Sequence, residues 1–106
     1  MSDRELATDF SRIMREEARL TILKALGEQT NETLNSSILQ QVLATFAINM
    51  ERAWVHQQID YLETMGAVTV IQAGSVKIAT LTETGRRHLD RHCHIEGVKR
   101  PSRPGS

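Results

Sequence analysis

The sequence predicts a small α+β domain built from three helices, a two-stranded β-hairpin and a closing helix. Three observations predict it. Apolar residues recur at helical spacing from Leu6 to Leu62, the period changes to two between Ala67 and Leu81, and isolated glycines stand where elements must end or turn. The chain has 106 residues, 40% of them hydrophobic and 25% charged, which suits one ordinary globular domain. Only 4% are aromatic, so the core must rest on Leu, Ile, Val, Met and Ala.

Ser2 and Glu5 have the spacing of a capping box, and Asp3 adds a carboxylate to the first turn of helix 1. Leu6, Phe10, Ile13, Met14, Leu20, Leu23 and Leu26 then keep a helical period up to Gly27, with a break expected near Glu16 and Glu17. Arg12, Arg15, Glu16, Glu17 and Arg19 read as a solvated charged face. After a polar turn, Asn35 can cap helix 2, with Leu34 stapling against Leu39 and with Ile38, Leu39, Val42, Leu43 and Phe46 apolar. Asn49 is the expected cap of helix 3, Met50 to Met65. Val55, Ile59 and Leu62 share its inner face, while Met50, Ala53, Gln57, Asp60 and Thr64 share the outer one.

Beyond Gly66 the β-branched runs 67–71 and 76–81 form a hairpin through the loop Gln72-Ala73-Gly74-Ser75, with Gly74 at positive φ. Thr82 can cap a last helix, from Glu83 to about Cys93, weakened in its first turn by Gly85. The division expected is a domain over residues 1–94 and a basic, proline-containing tail over 95–106, flexible or laid on a surface.

Thirteen basic side chains balance thirteen acidic ones, so no global polycation argument for nucleic acid exists. The charge is uneven: residues 31–66 carry one basic and four acidic groups, whereas 67–106 carry seven basic and three acidic. Cys93 is the only cysteine, which excludes an internal disulfide framework. No apolar run approaches the roughly 20 residues of a membrane helix, and the first residues show no signal-peptide core. A cytoplasmic location without membrane contact is expected.

The order of elements resembles a winged helix-turn-helix domain. Val55-x3-Ile59-x2-Leu62-x3-Gly66-x-Val68 is similar to a recognition helix running into the first wing strand, and Leu81-Thr82-Glu83-Thr84-Gly85-Arg86 to the second strand turning into the last helix. With Arg19-x2-Ile22-Leu23-x2-Leu26, these signatures resemble MarR-like and ArsR-like regulators over roughly residues 15–92. Three further stretches are similar to small winged-helix proteins of Mu-like prophages: Leu34-Asn35-x-Ser37-x-Leu39, Tyr61-Leu62-Glu63-x2-Gly66 and Gly97-Val98-Lys99-Arg100-Pro101. The resemblance implies a phage-type transcriptional regulator that binds duplex DNA, and a homodimer is expected because one module has a small footprint and two-fold DNA sites reward two recognition helices.

On that reading, Asn49, Arg52, Gln57 and Gln58 are the helix 3 side chains able to reach base edges or phosphates, and Trp54 could pack on sugar or a thymine methyl. Trp54 equally suits a dimer contact or a lid over an apolar edge. Ser75 and Lys77 would contact DNA from the wing, and Arg86 with Arg87 from the last helix. Leu6, Phe10, Ile13 and Met14 exceed what a winged-helix core needs and, with the last helix, are the expected dimer surface. A winged-helix module that binds protein within a phage complex, and no DNA, is the alternative. The acidic middle segment favours it, with Trp54 and Tyr61 as anchors.

His88 and His92, at i and i+4, are the one pair with metal-ligand spacing, but no second cysteine or matching carboxylate accompanies them. Exposed helix histidines are the plainer reading, and neither metal nor other cofactor is expected. Gly27, Gly66, Gly74, Gly85 and Gly97 form no phosphate loop, and Cys93 has no shaped pocket around it. A binding protein is expected, not an enzyme.

Overall fold

The computed structural model describes residues 2–103. Its elements are α1 (Asp3–Gly27), β1 (Thr33–Asn35), α2 (Ser36–Thr45), α3 (Arg52–Thr64), β2 (Val68–Ala73), β3 (Val76–Leu81) and α4 (Glu83–Leu89). This is the α+β winged-helix architecture. The antiparallel β2–β3 hairpin forms the wing, and β1 pairs with the other edge of β3 to complete a sheet in the order β1-β3-β2. No helix among the described residues is long and apolar enough to cross a membrane.

Local chemistry explains most boundaries. Ser2 and Glu5 form both halves of the capping box, and α1 then runs 25 residues without the break expected at Glu16–Glu17. Asn35 caps α2 by accepting the Ile38 N–H at 2.9 Å. Thr82 caps α4 through the Gly85 N–H at 3.2 Å. Asn49 caps nothing: α3 starts later than expected, after Glu51, with no side-chain cap bond. The hairpin loop is also tighter than expected. Ala73 pairs with Val76, leaving only Gly74 and Ser75, and Gly74 takes φ +59°, as the first central position of a type II′ turn requires.

Three helices end in one way, with a residue in the left-handed region closing the last turn. Behind α2, Ala47 (φ +63°) donates to Ala44 C=O while Ile48 donates to Leu43 C=O. Gly66 and Ala67 repeat the pattern behind α3, and Arg91 and His92 behind α4. Only Gly66 announces this in the sequence. The Arg91 motif stops α4 at Leu89, short of the expected Cys93. Since an L side chain is unfavourable in this region, Ala47→Gly is expected to stabilise the fold by about 0.5–1 kcal/mol, read as a higher urea midpoint.

The core lies where α1, α2 and α3 converge on the sheet. Ile22, Leu23 and Leu26 meet Leu39, Leu43, Val55, Ile59 and Leu62, with Ala79 and Leu81 below. β1 was not expected, because three residues are too short to show a period. Leu34, expected as a helix staple, is its middle residue and packs at the edge of the core. Leu81 N–H to Glu32 C=O at 2.9 Å and a Thr33–Thr80 hydroxyl pair at 2.9 Å secure the strand.

Of the two states expected for the tail, flexible or laid on a surface, residues 95–101 take the second, packed on the domain, while 104–106 lie outside the described residues. Ile95, Val98 and Pro101 are buried. Tyr61 Oη donates to Glu96 C=O at 2.6 Å, Arg19 donates to Gly97 C=O at 2.8 Å, and the Arg19 guanidinium stacks 3.6 Å from the Tyr61 ring centre. Lys99 N–H reaches Glu16 C=O at 3.2 Å, and its ammonium pairs with Glu17 at 2.8 Å. Gly97 takes φ +82° with Tyr61 pressed against it, a position closed to any side chain. The segment is a strap across α1, α3 and α4.

Candidate nucleic-acid interface

Because Val55, Ile59 and Leu62 face the core, the opposite side of α3 is turned outward, and Ala53, Gln57, Asp60 and Thr64 are exposed along it. The hairpin tip, Gln72 to Ser75, is exposed as well. Wing and helix are joined by a polar hub. Ser36, fully buried at the start of α2, accepts the Lys77 N–H at 3.0 Å and pairs with His56 Nε2 at 2.8 Å. Lys77 Nζ in turn reaches Asp60 Oδ1 at 2.5 Å. Desolvation, then the charges of Lys77 and Arg52, pull the His56 pKa below its ordinary 6.5, so the ring is neutral at pH 7. Three elements are thereby held in one orientation by four side chains that sequence reasoning did not bring together. Their separation along the chain left no spacing signal.

The expected contact residues divide. Gln57 and Ser75 are exposed on the outward face and the wing tip, and Asn49 is exposed just before α3. Arg52 is half-buried in the first turn of α3, with its Nε unpartnered. Gln58 points inward instead. It is 1% exposed, accepts from Arg19 Nε at 3.0 Å and donates to Trp54 C=O at 3.2 Å, so it cannot reach a groove. Lys77 is turned across to Asp60 and not toward the wing tip. Arg86 links α4 to the end of α1, donating to Gly27 C=O at 3.2 Å and to Glu32 at 2.6 Å. Arg87 is exposed. Trp54 is half-buried beside Met50, in a recess it shares with Phe10 and Met14.

The His88–His92 pairing does not form. His88 is fully buried, with Nε2 bonded to Lys99 C=O at 2.9 Å and Nδ1 accepting the Ile95 N–H at 3.0 Å. No ring nitrogen is left for a metal, and His92 lies beyond the end of α4. Cys93 is half-buried with its thiol 3.8 Å from Thr84 C=O. Leu6, Phe10, Ile13 and Met14 are all exposed on the first half of α1.

No known family profile matches the chain. The uncharacterized protein gp26 of Escherichia phage Mu is 38% identical over 89 residues, which cover 84% of this chain and 92% of that protein. Among solved structures, the fold matches Sco3205, a MarR family transcriptional regulator from Streptomyces coelicolor in complex with DNA. The TM-score is 0.55 over 86% of this chain and 67% of that one, at 19% identity. This likeness is one of fold.

Proposed function

The chain belongs to the family of the uncharacterized protein gp26 of Escherichia phage Mu, and for this member we propose a winged-helix DNA-binding function, that of a phage-type transcriptional regulator acting on duplex DNA as a homodimer. The observation that carries the reading is the outward face of α3, left free by its own fold and flanked by an exposed wing tip. A helix of 13 residues is about 20 Å long and fits a major groove roughly 12 Å wide. Gln57 is the base-edge reader on that face, Ala53 suits a thymine methyl, and Arg52 suits a phosphate beside the first turn. A neighbour of like fold was solved on DNA, which supports this use of the architecture. The reading is one of a binding protein, not an enzyme.

The test is binding of the purified protein to a labelled duplex pool at two salt concentrations. Binding that weakens with salt is expected, with a shallow slope because few cations flank α3. Arg52→Ala should weaken binding across sequences and lower the slope by about one, while Gln57→Ala should cost about 1–3 kcal/mol at the preferred site only. No binding even at low salt would overturn the reading. It would favour the protein-binding alternative, for which Glu51 and Glu63 speak: both are exposed, one at each end of α3, and neither has a cationic partner among the described residues.

A further inference from the structure

The first half of α1 touches the rest of the fold only along one edge, where Phe10 and Met14 border Met50 and Trp54. No described residue before Ala18 is buried, and a lone helical stretch of that length is marginal in water. Yet it carries a continuous stripe. Advancing 100° per residue, Asp3, Leu6, Phe10, Ile13, Met14, Glu17, Thr21 and Lys24 fall within an arc of about 100° along one edge of α1. Beside it the α2–α3 connection presents Phe46 and Ile48, and the two surfaces bound a cavity of about 390 Å³.

We infer that this stripe is a two-fold interface in which the α1 helices of two copies pack antiparallel, with the axis between Ile13 and Met14. The inference rests on the homodimer part of the reading above and not on its DNA part. Charge favours this occupant and this register. With the axis there, Asp3 of one copy lies opposite Lys24 of the other, at both ends of the contact. Neither has an ion-pair partner within its own chain among the described residues. Leu6 then faces Thr21, and Phe10 comes to the cavity between Glu17 and Phe46, where the Glu17 carboxylate is already drawn off toward Lys99. An isologous contact requires one patch to hold both knob and hole, and this one holds both.

The area agrees. Leu6 is 44% exposed, Phe10 61%, Ile13 54%, Met14 39% and Phe46 65%. At about 200 Å² for a fully exposed side chain of this size, they offer on the order of 500 Å² of apolar surface. A standard interface buries about 800 Å² per partner, roughly 60% of it apolar, so the patch matches a stable pair.

The test is sedimentation equilibrium of the full chain without DNA, which separates it from the DNA reading. A mass of twice 11.9 kDa is expected at micromolar concentration. Phe10→Asp, and separately Phe46→Asp, should weaken association roughly 30-fold or more with the circular dichroism spectrum unchanged, since both side chains are exposed in the single chain. Asp3→Lys and Lys24→Asp should each weaken it several-fold. Mixed together they should form a heterodimer above the statistical share in native mass spectrometry, because every end pair is then attractive. A monomeric parent chain, or a dimer indifferent to both Phe substitutions, would overturn the interface. Unweakened single charge variants that mix statistically would overturn the register.

Discussion

Replacing His88 with alanine is expected to cost on the order of 3–5 kcal/mol, a large part of the stability of a domain this size. The imidazole is fully buried where α4 meets the strap. Its Nδ1 accepts the Ile95 N–H and its Nε2 donates to Lys99 C=O, so alanine orphans a donor and an acceptor at about 1–3 kcal/mol each and leaves a cavity besides. Urea unfolding would show the loss as a lower midpoint. A midpoint within experimental error of the parent would show that the strap does not depend on this residue.

The same bonds imply a pH dependence. Burial is the main cause holding the His88 pKa below 6.5; the Lys99 carbonyl acts against it, and His94 and Arg100 add to it. Below about pH 6.5 the unfolded chain takes up a proton that the folded chain refuses. Stability is therefore complete above that pH and is lost as pH falls toward the folded pKa, at up to about 1.4 kcal/mol per unit. His56 acts in the same direction. His88→Gln should flatten the profile of unfolding free energy between pH 7 and pH 5 (about 7 and about 5 bracket the window), and an unchanged slope would remove His88 as its source.

Gly85→Ala is the second large effect, at about 2–4 kcal/mol of destabilisation. In most helices alanine gains up to about 1 kcal/mol over glycine. Here an added Cβ would stand 2.4 Å from the Ala67 carbonyl oxygen and 2.6 Å from a Leu81 methyl. The carbonyl is backbone at the root of the wing, and it already accepts the Thr82 N–H at 3.1 Å, so it cannot swing aside. Thermal unfolding followed by circular dichroism measures the cost. A variant as stable as the parent would mean that wing and α4 separate freely. The glycine that weakens the helix in the sequence is what lets α4 lie against the wing.

How much was legible follows from the range of each interaction. The capping box at Ser2, the Asn35 and Thr82 caps, the inner face of α3 and the positive φ of Gly74 were all readable, because each is decided within about one turn or one hairpin. The three-residue β1 was not, since its existence depends on β3 more than forty positions away. Nor was the end of α4, where Arg91 occupies a conformation that glycine usually signals.

The candidate site shows the same division. Gln57 and Gln58 are chemically alike neighbours, yet the 100° between them on the helix sends one to solvent and the other to Arg19. Lys77 and Arg86 read as free cations until the carboxylates of Asp60 and Glu32 are brought beside them. The Gly-Val-Lys-Arg-Pro stretch looked like a basic tail, but only a folded partner surface makes a strap of it: Tyr61 against Gly97, His88 under Lys99, a core for Val98.

By itself, the sequence determined the order of helices and wing, the caps at Ser2, Asn35 and Thr82, and the inward apolar faces, because periodicity and capping act between near neighbours. Only the tertiary structure decided which polar side chains remain free to bind. That depends on which charges and carbonyls distant segments bring within a few ångströms, and no local pattern encodes it.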